Sequence, residues 1–348
     1  MVRAVYTRCV SRTKKLTLAA VGVIVALGLG TAAWVLAVHD FGLHQERVTI
    51  EGPRGELSAV LDTPAKRDGP FGLIVVVHDA GPAQARTDRD KPLWNAYAKA
   101  GFAILSWDKP GVDGASGNWL DQSMHDRAAE VEAAISWAYT RPDLDTTRLG
   151  VWGIGEAGWV VPQVLAARND IGFAVLVGPA INWLRQDEFA LRADLAARQA
   201  KPAEAAVELD RRARRVALLK DGADYRRYVA SRIDPTPMSA AQWGFAARNF
   251  RADATASLSR ISVPLLLVLG GEDRYADVNE TEAVYRRKVQ PSVLTIKRFS
   301  EATHAITRKG IEYRSDFRVS AREIFAPSTV YAPGYLDALR IFAQRNTK

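Results

Sequence analysis

Leu149-Gly150-Val151-Trp152-Gly153-Ile154-Gly155-Glu156-Ala157-Gly158-Trp159 decides the fold. An apolar run ends in glycines and passes at once into Gly158–Ala167, whose apolar residues recur at helical spacing. Two chemistries ask for such a turn. Read literally, Gly153-x-Gly155-x-x-Gly158 is a dinucleotide fingerprint, in which glycines admit a pyrophosphate to a helix N-terminus. That reading needs an acidic residue about 20 positions on for the ribose, where the chain has Gly178-Pro179. The other is a strained strand-to-helix elbow of the G-x-S-x-G kind, which lifts a serine hydroxyl to the sheet edge and needs small neighbours. Gly153, Ala157 and Gly158 are such neighbours, and Gly155 stands where the serine would be.

Outward from this turn, buried strands read as near-continuous apolar runs: Leu73–Val77, Ala103–Trp107, Leu149–Trp152, Ala174–Val177, Leu265–Leu269 and Val293–Phe299. Two antiparallel-type segments precede them, Glu46–Ile50 and Glu56–Leu61, split by the turn Gly52-Pro53-Arg54-Gly55. Helical patterns alternate with the runs at Leu93–Ala100, Asp126–Thr140 and Gly158–Ala167, which predicts a mostly parallel, doubly wound α/β sheet. The stretch from Trp183 to about Phe250 has helical patterns and no convincing strand. It is expected to form an inserted helical lid, with Trp183, Trp243, Phe245 and Phe250 as candidates for lining a pocket or packing the lid down.

The segments around the elbow resemble the α/β-hydrolase family, in its subgroup of esterases, thioesterases and prolyl-peptidase relatives, over most of residues 46–345. Three stretches carry the likeness. His78-Asp79-Ala80-Gly81-Pro82 is similar to the turn that supplies an oxyanion-hole N–H, with Asp79 in place of the usual glycine; Trp107–Gly117 is similar to the loop after the next strand. Val263-Pro264-Leu265-Leu266-Leu267-Val268-Leu269-Gly270-Gly271-Glu272-Asp273 is similar to the strand presenting the triad acid, and Ser300-Glu301-Ala302-Thr303-His304 to the segment bearing the base. The resemblance implies Asp273 as acid, with Asp277 as fallback, and His304 as base. It also implies backbone N–H donors at Ala80 and Glu156, and His78 and Asp79 beside the pocket. The order elbow, acid, histidine is the family's.

Gly155 has no side chain with which to attack an acyl group, so the expectation is a hydrolase scaffold with impaired or absent serine chemistry. A carboxylate at Asp79, if turned inward, would also oppose an oxyanion. Ser116 and Ser300 are possible relocated nucleophiles, and a His304–Asp273 pair acting as general base on water is a second reading. A non-catalytic module binding a ligand or another protein is a third. The expected ligand is a small acyl, ester or peptide-like molecule. No cofactor is expected, and no His/Cys/Asp spacing argues for a metal.

The formal net charge is +8 over 348 residues, yet Arg3, Arg8, Arg12, Lys14 and Lys15 contribute five positive charges to a stretch, 1–38, without an acid. The remainder is nearly balanced, which argues against nucleic-acid binding. Leu16–Val38 carries no charge and is long enough to span a bilayer as a helix. The expected organisation is a basic cytoplasmic segment at 1–15, a transmembrane or signal anchor at 16–38, and a hydrolase domain at 39–348 on the periplasmic or extracellular side. Cleavage near Ala32, Ala33 and Ala37 would instead release a secreted protein. The only cysteine, Cys9, precedes the apolar run and can form no disulfide within the domain.

Overall fold

The computed structural model describes residues 21, 23–313 and 317–346. Its framework is one eight-stranded sheet in the order β1-β2-β4-β3-β5-β6-β7-β8. β1 (Leu43–Gly52) and β2 (Gly55–Pro64) form an antiparallel hairpin, and β2 also runs antiparallel to β4 (Phe102–Trp107). The remaining pairings, through β3 (Phe71–Val77), β5 (Leu144–Ile154), β6 (Phe173–Val177), β7 (Leu265–Gly270) and β8 (Leu294–Phe299), are all parallel. Each expected strand is therefore present, extended by a few residues at one or both ends or, at β8, shortened by one.

Continuous apolar runs mark strands buried on both faces, and β3 shows why. Leu73, Val75 and Val77 join one core, packed by α3 (Met124–Ala138) and α4 (Ala157–Ala167); Ile74 and Val76 join the other, packed by α2 (Lys91–Lys99) and a C-terminal helix (Tyr335–Arg345). The strand period of two feeds both cores from one run of residues.

Between β6 and β7 lie α5 (Trp183–Ala197), α6 (Pro202–Lys220), α7 (Tyr225–Ala230) and α8 (Ala240–Asn249). Trp243 belongs to a separate cluster within these helices, stacked on Tyr228 at 4.2 Å with its indole N–H donated to the Ala223 carbonyl at 3.0 Å. Phe250 is buried in the same cluster, Phe245 packs against the main core, and Trp183 packs against both.

Among the described residues no helix is long and apolar enough to cross a membrane. The expected span 16–38 falls partly outside them, as does the basic segment 1–15. Its described portion belongs to the first helix, α1, which runs through residues 23–39 with Ile24, Leu27, Leu29, Trp34 and Leu36 more than half exposed. This helix meets the domain at two polar contacts. The Trp34 indole N–H donates to the Phe325 carbonyl at 3.0 Å, and His39 Nε2 lies 2.9 Å from the Ile324 carbonyl.

β5, which carries the elbow, is held close to its neighbours by Gly150. A Cβ there would fall 2.5 Å from the Phe173 ring and 2.9 Å from Ile74 Cδ1. Overpacking of this kind costs about 1–3 kcal/mol. Gly150→Ala is expected to lower unfolding free energy by that amount in urea titrations; an unchanged midpoint would show that the two side chains yield freely.

Candidate active site

Four chain segments meet at the carboxyl edge of the sheet, where open α/β folds place their ligand sites. They are the loop after β3 with His78, Asp79 and Ala80, the turn after β5 with Gly155 and Glu156, the loop after β7 with Asp273, and the loop after β8 with His304. Gly155 adopts φ +54°, the left-handed region that glycine enters without strain. Its N–H donates to the Val177 carbonyl, and its own carbonyl accepts from Gly158 and Ala180, which locks the turn against β6 and α4.

His304 is buried, and both its ring nitrogens have partners. Nδ1 lies 2.7 Å from Asp273 Oδ2, while Asp273 Oδ1 accepts the backbone N–H groups of Tyr275 and Ala276 at 2.7 and 2.9 Å. Asp277, the fallback acid, instead caps α9 (Val278–Lys288) by accepting from Asn279 and Glu280. Gly178 makes the acid–base contact possible, since a Cβ there would lie 2.8 Å from His304 Nδ1 and 3.0 Å from Asp273 Oδ2. The glycine that defeats the dinucleotide reading thus has a packing role.

The second ring nitrogen, Nε2, faces Asp79 Oδ2 at 3.2 Å. The Asp79 carboxylate turns inward, and its Oδ1 accepts the N–H of Ala80 at 2.7 Å and of Glu156 at 2.9 Å. Those are the two backbone donors expected to stabilise an oxyanion. A Cβ on residue 155 would stand 1.9 Å from Asp79 Oδ1 and 2.8 Å from His304 Nε2. The carboxylate therefore occupies the volume in which an elbow side chain would lie. With both His304 nitrogens taken, neither Ser116 nor Ser300 is bonded to the base; Ser116 lies beside Arg54 and Gly117 in another depression, and Ser300 packs its backbone near Gly271.

Electrostatics make the array an ion triplet. Burial works against a charged imidazole, but the Asp273 and Asp79 carboxylates outweigh it and hold His304 well above the ordinary histidine range. Burial likewise works against the Asp79 carboxylate, but His304 and the Ala80 N–H bring it below its usual value. His78 differs: burial, with Lys109 and Arg127 nearby, pushes it down to about 3, so it is neutral.

Beneath the turn lies a buried charge cluster that sequence reasoning missed. Arg127 forms an ion pair with Glu156 and donates to the His78 carbonyl at 2.7 Å; Lys109 donates to the carbonyls of Asp79 and Gly81. The signal was present in α3, where Arg127 interrupts the apolar stripe Met124, Ala128, Val131, Ala134, Ile135 and Ala138. Glu130, bonded to Trp107 and Gln122, completes the cluster.

A cavity of about 540 Å³ opens beside Asp79, lined by His78, Ala80, Pro82, Leu93, Trp152 and Ile154 among others. Trp183, Trp243 and Phe245 are not in its wall. Trp243 is buried in the cluster of the helical segment, Phe245 packs against the main core, and Trp183 packs against both.

A family model described as "Serine aminopeptidase, S33" matches residues 68–309. The chain belongs to this hydrolase family. No curated protein matches the sequence. Among solved structures, the esterase Pf2001 of Pyrococcus furiosus is similar at 15% identity and TM-score 0.55, covering 89% of this chain and 94% of its own. The alpha/beta hydrolase GrgF of Penicillium sp. is similar at 15% identity and TM-score 0.56, covering 88% and 99%. Est1E of Butyrivibrio proteoclasticus is similar at 13% identity and TM-score 0.55, covering 86% and 98%. At such identities the likeness establishes the α/β-hydrolase fold alone.

Two outcomes follow from the site's charges. Removing one partner of a buried ion pair costs about 3–5 kcal/mol, so Arg127→Met should destabilise by that amount, and adding Glu156→Leu should recover part of it; equal stability of single and double variants would dissociate the pair from the fold. The Asp79–His304 contribution has a defined pH window. Asp79 is lowered when folded, so its share is full above its ordinary 3.8 and lost as pH falls through the folded value. His304 is raised, so its share is full below its ordinary 6.5 and lost as pH rises through the folded value. The stability difference between wild type and His304→Gln should plateau between these pH values and shrink on both sides, as read from denaturant midpoints; a difference that grows above pH 7 would contradict the ion triplet.

Proposed function

We propose that this chain is an S33-family hydrolase homologue in which serine-type acyl transfer is lost and the site is reorganised around an Asp79–His304–Asp273 array. One observation carries the reading: the Asp79 carboxylate takes both backbone donors and the volume of the elbow side chain. An acyl substrate then meets no oxygen nucleophile at residue 155, and its developing oxyanion would compete with a carboxylate already on the N–H groups. In a serine hydrolase, loss of the nucleophile costs on the order of a million-fold in turnover.

The ligand in this reading remains a small molecule that fits the cavity beside Asp79, with ester or peptide-like character suggested by the family. The near-balanced charge of residues 39–348 favours no nucleic-acid partner. The exposed apolar helix at 23–39, continuous with the uncharged stretch from Leu16, supports an anchor in a membrane with the domain on the periplasmic or extracellular face.

The test is a pair of revertants. Gly155→Ser alone places its Cβ on the Asp79 carboxylate, so it should be less stable and gain no esterase activity. Asp79→Gly/Gly155→Ser clears the donors and restores the nucleophile, so p-nitrophenyl butyrate cleavage should rise by on the order of 100-fold over wild type, with labelling by a fluorophosphonate. Ordinary enzyme-level cleavage of that ester by the wild-type chain, abolished in His304→Ala, would refute the reading.

A further inference from the structure

Far from the candidate active site, four cations gather where α1 enters the domain. Lys66 and Arg67 lie in the turn after β2, Lys99 ends α2, and Arg148 belongs to β5. The two guanidinium groups converge over Gly101, where a Cβ would stand 3.0 Å from a terminal nitrogen of Arg67 and 3.4 Å from one of Arg148. Arg148 reaches the Ala100 carbonyl at 3.5 Å and lies over the Phe102 ring, neither of which neutralises it. The Lys66, Arg67 and Lys99 side chains have no hydrogen bond or ion pair among the described residues. Like charges held together in this way repel unless an anion lies between them.

Lys66, Arg67 and Lys99 border a depression of about 290 Å³, and Asp40 and Phe41, just past the end of α1, form another part of its wall. Asn95 of α2 joins the two parts by donating to the Phe41 carbonyl. Asp40 is the one carboxylate in that wall, and its Oδ1 already accepts the Gly42 N–H at 2.9 Å. Three positive charges against one negative select an anion. We propose that this depression seats the phosphodiester of an anionic phospholipid from the bilayer that holds α1. The Arg67 guanidinium suits two phosphate oxygens at once, and the lysines add mobile point charges. That seat rests on the anchor proposed above and adds a lipid preference to it.

Depth is what selects a lipid over free phosphate. The uncharged stretch Leu16–Val38 has 23 positions, about 35 Å as a helix, enough to cross a hydrocarbon core of roughly 30 Å. Asp40 and Phe41 follow it directly, at the level where phosphate groups begin. A second element meets α1 at the same level: the short helix Phe317–Phe325, whose Phe325 and Ile324 carbonyls pair with Trp34 and His39. Phe317, Ile324 and Phe325 are spaced for one helical face, and all three are exposed, Phe317 by 86%. An apolar face at that depth suits the boundary between headgroups and acyl chains.

The experiment uses the full chain in dodecyl maltoside micelles, with bound lipid read by native mass spectrometry. Phosphatidylglycerol should be retained at least about 10-fold more tightly than phosphatidylcholine. Lys66→Gln/Arg67→Gln/Lys99→Gln should weaken phosphatidylglycerol retention on the order of 100-fold without moving the denaturant midpoint, since the replaced side chains bond to nothing in the fold. Equal retention of the two lipids by the wild type, or of phosphatidylglycerol by wild type and variant, would overturn the proposal. So would glycerol 3-phosphate binding as tightly as phosphatidylglycerol, because the site would then read a free phosphate. The comparison of lipids on the wild-type chain needs no variant to fold. Extraction of the full chain from vesicles by alkaline carbonate would refute the anchor, whereas unselective lipid retention refutes the headgroup seat, so the two failures are distinguishable.

Discussion

A side chain at residue 155 and the Asp79 carboxylate cannot share the edge of this sheet. The separation of 1.9 Å between a Cβ on 155 and Asp79 Oδ1 is far inside van der Waals contact, and neither partner is free to step aside. Residue 155 is fixed by three backbone hydrogen bonds in a left-handed turn, and Asp79 by two N–H groups and His304. Glycine at 155 and aspartate at 79 are therefore one structural feature distributed over two loops. Elbow geometry that ordinarily strains a non-glycine residue by about 1–3 kcal/mol is relaxed here, and that relief is available only because the side chain is gone.

The cluster below the turn explains how a carboxylate is kept in such a place. Lys109 holds the carbonyls of Asp79 and Gly81, and Arg127 holds the carbonyl of His78 while neutralising Glu156. The 78–81 backbone is thereby pinned from beneath, which leaves the Asp79 side chain one inward direction. Taking such charges out of water is unfavourable, and burial pushes Lys109 well below and Arg127 down to about 10 relative to their usual values. The carbonyls and carboxylates around them offset that cost, so the cluster is best understood as a positional device for the loop rather than as a source of net stability.

Most of the framework was legible because buried parallel strands must be apolar on both faces, and Leu73–Val77 or Leu265–Leu269 admit few other readings. Asp273 and His304 were singled out by the resemblance of their segments to a known family, and the structure brings them to 2.7 Å. The direction of Asp79 was not, because one residue in a loop carries no period from which orientation can be read. The aromatics of the helical segment carried a related ambiguity. Aromatics such as Trp243 fill a pocket or a small core equally well by composition, and Tyr228 with Leu219 and Ala223 decides for the core. Arg127 could have been found by asking why a charge interrupts an apolar helical stripe.

An elbow without serine is consequently not an empty site. Two backbone donors and the Nε2 of His304 would lose their partner if Asp79 were absent, and buried donors without acceptors are costly. The carboxylate satisfies all three at once, so any ligand reaching Glu156 N–H and Ala80 N–H must displace Asp79. Displacement exposes His304 to a site with one carboxylate fewer, which favours anionic ligands that restore the charge.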